Sequence, residues 1–380
     1  MSPRLPMGEN VLAIDWPRRH AEEREVLEQV LDHNHDKDHL RIRKIVRDRV
    51  KKALPTERSE LRKLNIARFC EDVALDVAGR YLGIGDLCER EDLRPIVRRL
   101  ASQVFQAPVH GSIEERDARL AGSRMAGLAK HYVDEAVDQF ECCQKHDEDW
   151  TITDRLLHAV ARENVPSISA HRRNWVTRNM ATLAVFGSVT TARAMTQAIY
   201  QIHLYPERWK IARHAAKTYE DVAVKFDGPA EEHPVDAVSE LKTAREDLLM
   251  VIFEALRWHP MLPVLGVRTA IRDTLLAPGN DARTPVRAGT KVLPVLMAAM
   301  HDGETFRHPE CFCPKARNKD DYLHFGAGPH ECVGRHMAEA MLIEIAAAFF
   351  TDDLIGARYR KTTAIEYDGP AVNALWFQPC

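Results

Sequence analysis

The residue best placed for chemistry is Cys332, in the loop FGAGPHECVG at residues 325–334. The three glycines of this loop let the backbone turn sharply and approach a flat object closely. A long apolar-periodic run follows and predicts a helix that begins near Arg335. A helix N-terminus and free backbone N–H groups favour thiolate over thiol. The loop therefore predicts one anionic sulfur with room for a group pressed against it.

Several kinds of site are compatible with such a cysteine. A thiolate that binds haem iron needs this tight framing, and thiolate donation favours cleavage of an O–O bond. A helix-capping turn with an incidental cysteine is the simpler alternative. A zinc site or a disulfide is disfavoured because no partner cysteine stands at ligand spacing. Cys311 and Cys313 are close in sequence, but we interpret them as small apolar residues beside Phe312.

The loop resembles the haem-binding signature of the cytochrome P450 superfamily, Phe-Gly-x-Gly-x-His/Arg-x-Cys-x-Gly. The matching positions are Phe325, Gly326, Gly328, His330, Cys332, Gly334 and, further on, Ala338. The resemblance implies haem b (iron protoporphyrin IX) with Cys332 as the axial iron ligand. It also implies that Phe325, His330 and Gly334 help to bind the cofactor, with His330 at a haem propionate.

Further cationic residues resemble the family's propionate ligands. Arg268 stands five residues before Asp273, as in the family strand that sends an arginine to a propionate. His39 and Arg43 resemble the family helix that supplies two propionate ligands, and their spacing puts both on one helix face. A solvated basic helix is the alternative. The stretch HNHDKDH, residues 33–39, could be taken for a metal site, but a polar turn ending in a propionate-binding histidine is the preferred interpretation.

A Glu-x-x-Arg motif, Glu254 and Arg257, precedes the cysteine loop at the distance seen in the family. Taken alone, this motif is typical of an ordinary i,i+3 surface pair. A buried Glu–Arg pair is costly to desolvate and is kept only where its hydrogen bonds fix a structure. The resemblance implies that this pair supports the segment behind Cys332.

The long helical pattern over residues 172–203 carries the residues expected above the haem. Gly187 and Thr190 match the family's oxygen-site pattern, whereas Val189 stands where the family has an acid. In the family the acid and the alcohol deliver protons to dioxygen, a general acid step that contributes about 10²–10⁴-fold in typical cases. The missing acid favours a peroxide as oxidant. Thr190 or Thr191 acting with ordered water is the alternative.

The resemblance and these departures together predict an oxidoreductase that oxidises a small apolar substrate. It would act as a monooxygenase with a ferredoxin or reductase as electron donor, or as a peroxide-driven peroxygenase. Two alternatives stay open: a redox-neutral lyase or isomerase of a lipid hydroperoxide, and a non-catalytic haem-binding subunit. A weak similarity of DDYLHFGAGPHECVG to haem-thiolate domains of fungal fatty-acid hydroperoxide enzymes motivates the first.

The cations crowded on residues 39–54 suggest a partner surface. In the family the corresponding helix lies on the cysteine side of the haem, so this face would attract an acidic electron-transfer protein. A solvated face with several arginines turned to propionates is the alternative.

Apolar periodicity predicts the helices that would position these residues. The predicted helices are residues 39–54, 66–84, 92–106, 115–146, 151–163, 172–203, 236–258 and 335–350. Residues 261–324, rich in Pro and Gly, predict a small sheet. The fold class is thus mainly α, a cytochrome P450-like helical fold with a minor β region and an N-terminal part truncated relative to the family. We expect a short N-terminal segment, residues 1–38, and a single haem-thiolate domain, residues 39–380.

Composition sets the outer limits. The chain has 380 residues, of which 45% are hydrophobic, enough for a large core. A net charge of −3 does not suggest a nucleic-acid partner. The sequence has neither a signal-peptide h-region nor a run of about 18 apolar residues, so no transmembrane anchor is expected. Eight irregularly spaced cysteines indicate reduced thiols and a cytoplasmic location.

Overall fold

The computed structural model describes residues 16–32, 34–53, 63–106, 113–142, 150–161, 168–226, 234–264, 266–276, 283–352, 359–361, 365–368 and 371–379. The helices are α1 (Pro17–Leu31), α2 (His35–Ala53), α3 (Ile66–Leu82), α4 (Leu93–Gln106), α5 (Ile113–Cys142), α6 (Ile152–Val160), α7 (Ala170–His203), α8 (Pro206–Ala223), α9 (Val235–Trp258), α10 (Leu296–Ala299) and α11 (Arg335–Thr351). The strands are β1 (Leu64–Asn65), β2 (Arg268–Thr269), β3 (Thr274–Leu276), β4 (Thr284–Val286), β5 (Lys291–Val292), β6 (Tyr359–Lys361), β7 (Glu366–Asp368), β8 (Ala371–Ala374) and β9 (Trp376–Pro379). The prediction of a mainly helical fold with a minor β region is confirmed.

Local signals explain several helix ends. The Asn65 side chain accepts a hydrogen bond from the backbone N–H of Arg68 and so caps the start of α3. Gly83 ends the same helix in the left-handed conformation, with φ of 82°. Thr151 and Asp154 form a reciprocal capping box at the start of α6. These short-range contacts fix where the helices that frame the core begin and end.

The core is built around α7. This helix packs against α3, α5, α9 and α11, and buried side chains occur on most of its circumference. Helix α11 also packs against α2 and α8. The element order therefore places the segment before α11, which contains the cysteine loop, against the middle of the molecule.

The sheets are small and antiparallel. Strand β9 pairs with β1 and β6, while β2 pairs with β5, β3 with β4, and β7 with β8. The predicted small sheet of residues 261–324 is thus confirmed as two short strand pairs. The strands near the end of the chain were not predicted from the sequence. Among the described residues, no helix combines the length and apolarity needed to cross a bilayer.

Three of the described helices, α1, α8 and the four-residue α10, were not predicted from the sequence, and α1 changes the expected domain boundary. Leu27 and Leu31 of α1 are buried in the same hydrophobic cluster as the residues of α7 and α11. The expected division between residues 1–38 and 39–380 falls inside α2, which begins at His35. Helix α1 is therefore part of the packed body and not a separate N-terminal segment.

Candidate active site

The cysteine loop is closed by backbone hydrogen bonds and left open on one side. The backbone N–H of Cys332 donates to the carbonyl of Phe325 at 2.9 Å. Gly326 and Gly328 have φ angles of 74° and 78°, a region that favours glycine. A Cβ atom built on either glycine would meet no described atom within 4 Å. A flat group can therefore approach the backbone of this loop.

Cys332 is an exposed residue, although protein atoms closely surround its thiol. This partial desolvation is the largest influence on the thiol and raises its pKa, although the backbone N–H of Gly334 and the charge of Arg24 act in the opposite direction. The backbone N–H at the helix N-terminus thus favours the thiolate, as expected, but desolvation outweighs this effect in the protein alone. A coordinated metal cation would remove the proton outright.

Helix α1 brings two nitrogen donors, an imidazole and a guanidinium, to this loop. The ring of His20 packs against the ring of His330, with centroids 4.2 Å apart. Nη1 of Arg24 donates to the carbonyl oxygen of Glu331 at 2.6 Å. Burial, then the proximity of His330 and Arg24, lowers the pKa of His20. Two imidazoles and a guanidinium thus converge beside the cysteine, an arrangement that an anionic ligand would stabilise.

The predicted pair His39 and Arg43 lies elsewhere. Nε2 of His39 is 2.8 Å from Oε1 of Glu344 and 3.3 Å from the hydroxyl of Tyr219, and all three side chains are buried. Nη1 of Arg43 donates to the carbonyl of Ala223 at 2.6 Å. Burial lowers the pKa of His39, which favours the neutral ring. These contacts fasten α2 to α8 and α11, so the prediction that His39 and Arg43 hold propionates is contradicted by their position.

The sequence contains a second pair with the same pattern, and this second pair lies beside the cysteine loop. His20 and Arg24 have the same four-residue spacing as His39 and Arg43, and Pro17 marks the start of their helix. The spacing alone did not distinguish the two pairs, and α1 has few apolar residues to reveal its period. Only the tertiary packing identifies the pair that lies beside the cysteine loop.

Glu254 and Arg257 form a fully buried ion pair on α9. Nε and Nη2 of Arg257 donate to the two carboxylate oxygens of Glu254 at 2.9 and 2.8 Å. Arg257 also donates to the carbonyls of Met300, Pro309 and Cys311. The pair is therefore not a surface pair, and it organises the segment between α10 and the cysteine loop.

The same pair is linked onward to the cysteine loop by aromatic side chains. The hydroxyl of Tyr322 donates to Oε2 of Glu254 at 2.8 Å. The Phe253 ring packs against Phe325, the first residue of the loop, with centroids 5.9 Å apart. Nε2 of His324 lies 2.9 Å from the Phe253 carbonyl, and burial lowers the pKa of this histidine to about 4. A shift of α9 would therefore be transmitted to the loop.

Helix α7 passes close to the start of α11. A Cβ atom on Gly187 would lie 2.7 Å from Cε of Met337, five residues after Cys332. Val189 is buried, and Thr190 Oγ1 donates to the carbonyl of Phe186 at 2.5 Å. The Thr190 proton is thus used within the helix, while its oxygen can still accept a hydrogen bond.

Arg268 is exposed on β2. Its Nη1 donates to the carbonyl of Gly266 at 2.9 Å, and none of the contacts between described residues joins it to the cysteine loop. Its role at a propionate stays a prediction.

The residues at the loop fit a thiolate-ligated haem. The exposed residue Cys332 stands beside a backbone that leaves open space at Gly326 and Gly328, which suits a planar macrocycle. The side chains of His20, Arg24 and His330 offer N–H donors, with the positive charge of Arg24 among them, that suit the carboxylate groups of such a ligand.

Comparison with known proteins agrees with this geometry. A family model described as Cytochrome P450 matches residues 106–350. A crystal structure of a cytochrome P450 (CYP102L1) superposes with a TM-score of 0.71 at 17% identity, covering 99% of this chain and 85% of that one. At this identity the likeness shows the fold alone.

Curated relatives match over shorter stretches. Luteothin monooxygenase of Streptomyces thioluteus is 27% identical over 172 residues, which is 45% of this chain and 34% of that protein. A bifunctional dioxygenase–epoxy alcohol synthase of Fusarium oxysporum is 30% identical over 114 residues, 30% of this chain and 9% of that protein. The matches thus span 34% and 9% of the lengths of these two relatives.

Proposed function

Because the chain belongs to the cytochrome P450 family, we propose that it is a haem-thiolate oxidoreductase that oxidises a small apolar substrate. The observation that carries the proposal is the exposed residue Cys332, framed by an open glycine loop and by donors from α1. The buried, apolar Val189 in the middle of α7 supports an apolar substrate. We place the protein in the cytoplasm.

The cofactor in this proposal is haem b. Cys332 would bind the iron, His20, Arg24, His330 and Arg268 would hold the propionates, and Phe325 and Gly334 would border the ring. A haem bound through a cysteine thiolate supplies oxidative chemistry, because thiolate donation favours O–O cleavage. Glu254 and Arg257 would keep the cysteine loop in place through the aromatic contacts at Phe253 and Tyr322.

The oxidant in this proposal is a peroxide or an organic hydroperoxide. Gly187 and Thr190 would border the oxidant site, and Val189 offers no proton where a carboxylic acid would. The Thr190 hydroxyl already donates to the Phe186 carbonyl, so its proton is not free for delivery. A peroxide brings its own O–O bond and protons, and the buried Val189 keeps the surroundings apolar.

A dioxygen-dependent monooxygenase would instead need an electron donor such as an acidic ferredoxin. The cations of α2 give weaker support for docking of an acidic ferredoxin than their number suggests, because most arginines of this helix have intramolecular partners. Arg41 donates to the carbonyl of Trp150, Arg47 pairs with Glu220, and Arg49 pairs with Glu89. The exposed lysines of this helix are Lys37, Lys44, Lys51 and Lys52.

The first experiment is the absorption spectrum of the reduced protein with carbon monoxide. We expect the red-shifted Soret band of thiolate ligation in the wild type and its loss in Cys332→Ala. Cys311→Ala, which removes another exposed thiol, is the matched control and should keep the band. A wild type without the band, or a Cys332→Ala variant that keeps it, would refute the proposal.

A redox-neutral rearrangement of a lipid hydroperoxide is the second candidate. Val189 and the similarity to a dioxygenase–epoxy alcohol synthase favour it. Incubation of the purified protein with a fatty-acid hydroperoxide, without reductant, separates the two reactions. Conversion of the hydroperoxide into an isomer favours the rearrangement, whereas oxygen transfer to an added apolar substrate favours the peroxygenase. Haem binding without either product would indicate a non-catalytic haem-binding subunit.

A further inference from the structure

Three side chains from three helix ends converge on the surface near the start of α11. Asp32 follows the last residue of α1, His35 is the first residue of α2, and His336 is the second residue of α11. One potential ligand atom from each lies within 4.8 Å of the other two. The His35 and His336 rings have centroids 3.8 Å apart, and Nε2 of His336 is 3.6 Å from Oδ1 of Asp32.

This spacing is close to that of a metal site. In a tetrahedral site with bonds of 2.0–2.1 Å, ligand atoms stand about 3.3 Å apart. The Asp32–His336 distance of 3.6 Å needs only a small adjustment of exposed side chains. Two imidazoles and one carboxylate form a donor set that divalent zinc accepts, with water in the remaining position.

Other groups of the same polar stretch are already engaged. Asp36 pairs with Arg245, Asp38 pairs with Arg155, and His39 lies against Glu344. His33 lies outside the described residues. The stretch is therefore not a metal site by itself. Within this stretch, His35 instead faces His336, which stands 301 residues later in the chain. The sequence pattern could not reveal that these two histidines are neighbours.

We propose that Asp32, His35 and His336 form a binding site for a divalent zinc ion that fastens the α1–α2 junction to the first turn of α11. The exposure of all three side chains gives the ion an entry path.

The location gives the site a consequence. Helix α1 carries His20 and Arg24, and α11 begins three residues after Cys332. An ion that joins α1 and α11 would therefore brace the two elements that frame the cysteine loop. The site lies outside that loop, and its occupancy does not depend on the oxidation chemistry.

The test is zinc binding to the purified, haem-containing protein after treatment with a chelator. We expect isothermal titration calorimetry to give one zinc per chain, with affinity reduced about tenfold or more in His35→Ala, His336→Ala and Asp32→Asn. His131→Ala is the matched control, because His131 is also exposed and stands 3.5 Å from the carboxylate of Glu135, and no third ligand joins this pair among the described residues. Its zinc affinity should equal that of the wild type.

A second measurement identifies the ligands directly. X-ray absorption at the zinc edge should show nitrogen and oxygen neighbours with an imidazole pattern, whereas binding by Cys311 and Cys313 would show sulfur. Since the three proposed ligands are exposed, the variants should keep the wild-type circular dichroism spectrum. Equal zinc affinity in wild type and His336→Ala, or a sulfur-ligated ion, would overturn the proposal.

Discussion

Replacing Arg24 by methionine should weaken haem retention, whereas the same change at Arg43 should not. Arg24 stands beside the cysteine loop, with Nη1 on the Glu331 carbonyl and Nε 2.6 Å from Oε1 of Glu28. Arg43 lies instead in the network around Glu344. The two residues share residue type and spacing from a histidine, so they form a matched pair.

The size of the effect follows from the bond that is lost. A charge-assisted hydrogen bond to a propionate contributes about 1.5–3 kcal/mol. At about 1.4 kcal/mol per factor of ten, Arg24→Met should lose haem roughly 10- to 100-fold faster than the wild type. Arg43→Met should keep the wild-type rate and lower the free energy of unfolding by about 1–3 kcal/mol, since it leaves carbonyl and carboxylate groups without their donor.

The assay mixes the haem-loaded protein with excess haem scavenger and follows the transfer of haem by absorbance. Urea unfolding followed by circular dichroism gives the stability of each variant separately. If Arg43→Met released haem quickly while Arg24→Met behaved as wild type, the cofactor would lie against α2, and the assignment to α1 would be refuted.

Three further predictions concern stability and the oxidant. Glu254→Gln should lower the free energy of unfolding by about 3–5 kcal/mol, because it leaves a buried guanidinium without its counter-charge. Tyr322→Phe removes one hydrogen bond from the same carboxylate and should lower the free energy of unfolding by about 1–3 kcal/mol in urea titrations. Equal effects of the two variants would contradict this ranking. The pKa of His324 falls from 6.5 to about 4 on folding, so the folded state binds fewer protons, and the free energy of unfolding should decrease as the pH drops through 6.5 and level off below about 4. In urea titrations between pH 7.5 and 4, the free energy of unfolding of His324→Gln should change less with pH than that of the wild type. An equal change in both proteins would assign the dependence to other groups. Turnover of the wild type should be faster with hydrogen peroxide or an organic hydroperoxide than with dioxygen and reductant. Val189→Glu should raise the amount of product formed per dioxygen consumed while lowering the stability of the fold. A wild type that is inactive with peroxides and couples dioxygen tightly to product would show that Thr190 or Thr191 with water suffices for proton delivery.

Sequence reasoning located the parts of the site that depend on neighbours along the chain. The cysteine loop, the Glu254–Arg257 motif and the long helix α7 were each recognisable from local patterns of glycine, charge or apolar period. The buried state of the Glu–Arg pair agrees with the interpretation based on its distance from Cys332.

The parts that were missed depend on contacts distant in sequence. His20 and His39 each begin a His-x-x-x-Arg pattern, and only packing against His330 or Glu344 distinguishes them. Strands of two to four residues, such as β1 and β9, are too short to show an alternating pattern, and they exist because they pair across the chain. The raised pKa of the Cys332 thiol likewise depends on surrounding protein that the sequence does not reveal.

The hydrogen bond from Arg24 to Glu331 joins residues 307 positions apart, and this separation has a consequence for biosynthesis. During translation α1 leaves the ribosome long before its partner loop has been made. His20 and Arg24 therefore lack their partner loop during the period in which the other helices can already pack locally. Contacts of such long range form late in folding, because the closure of the intervening chain is slow. We thus expect the cofactor-binding surface to be the last part of the molecule to assemble, so that haem enters an otherwise folded protein rather than guiding its early collapse.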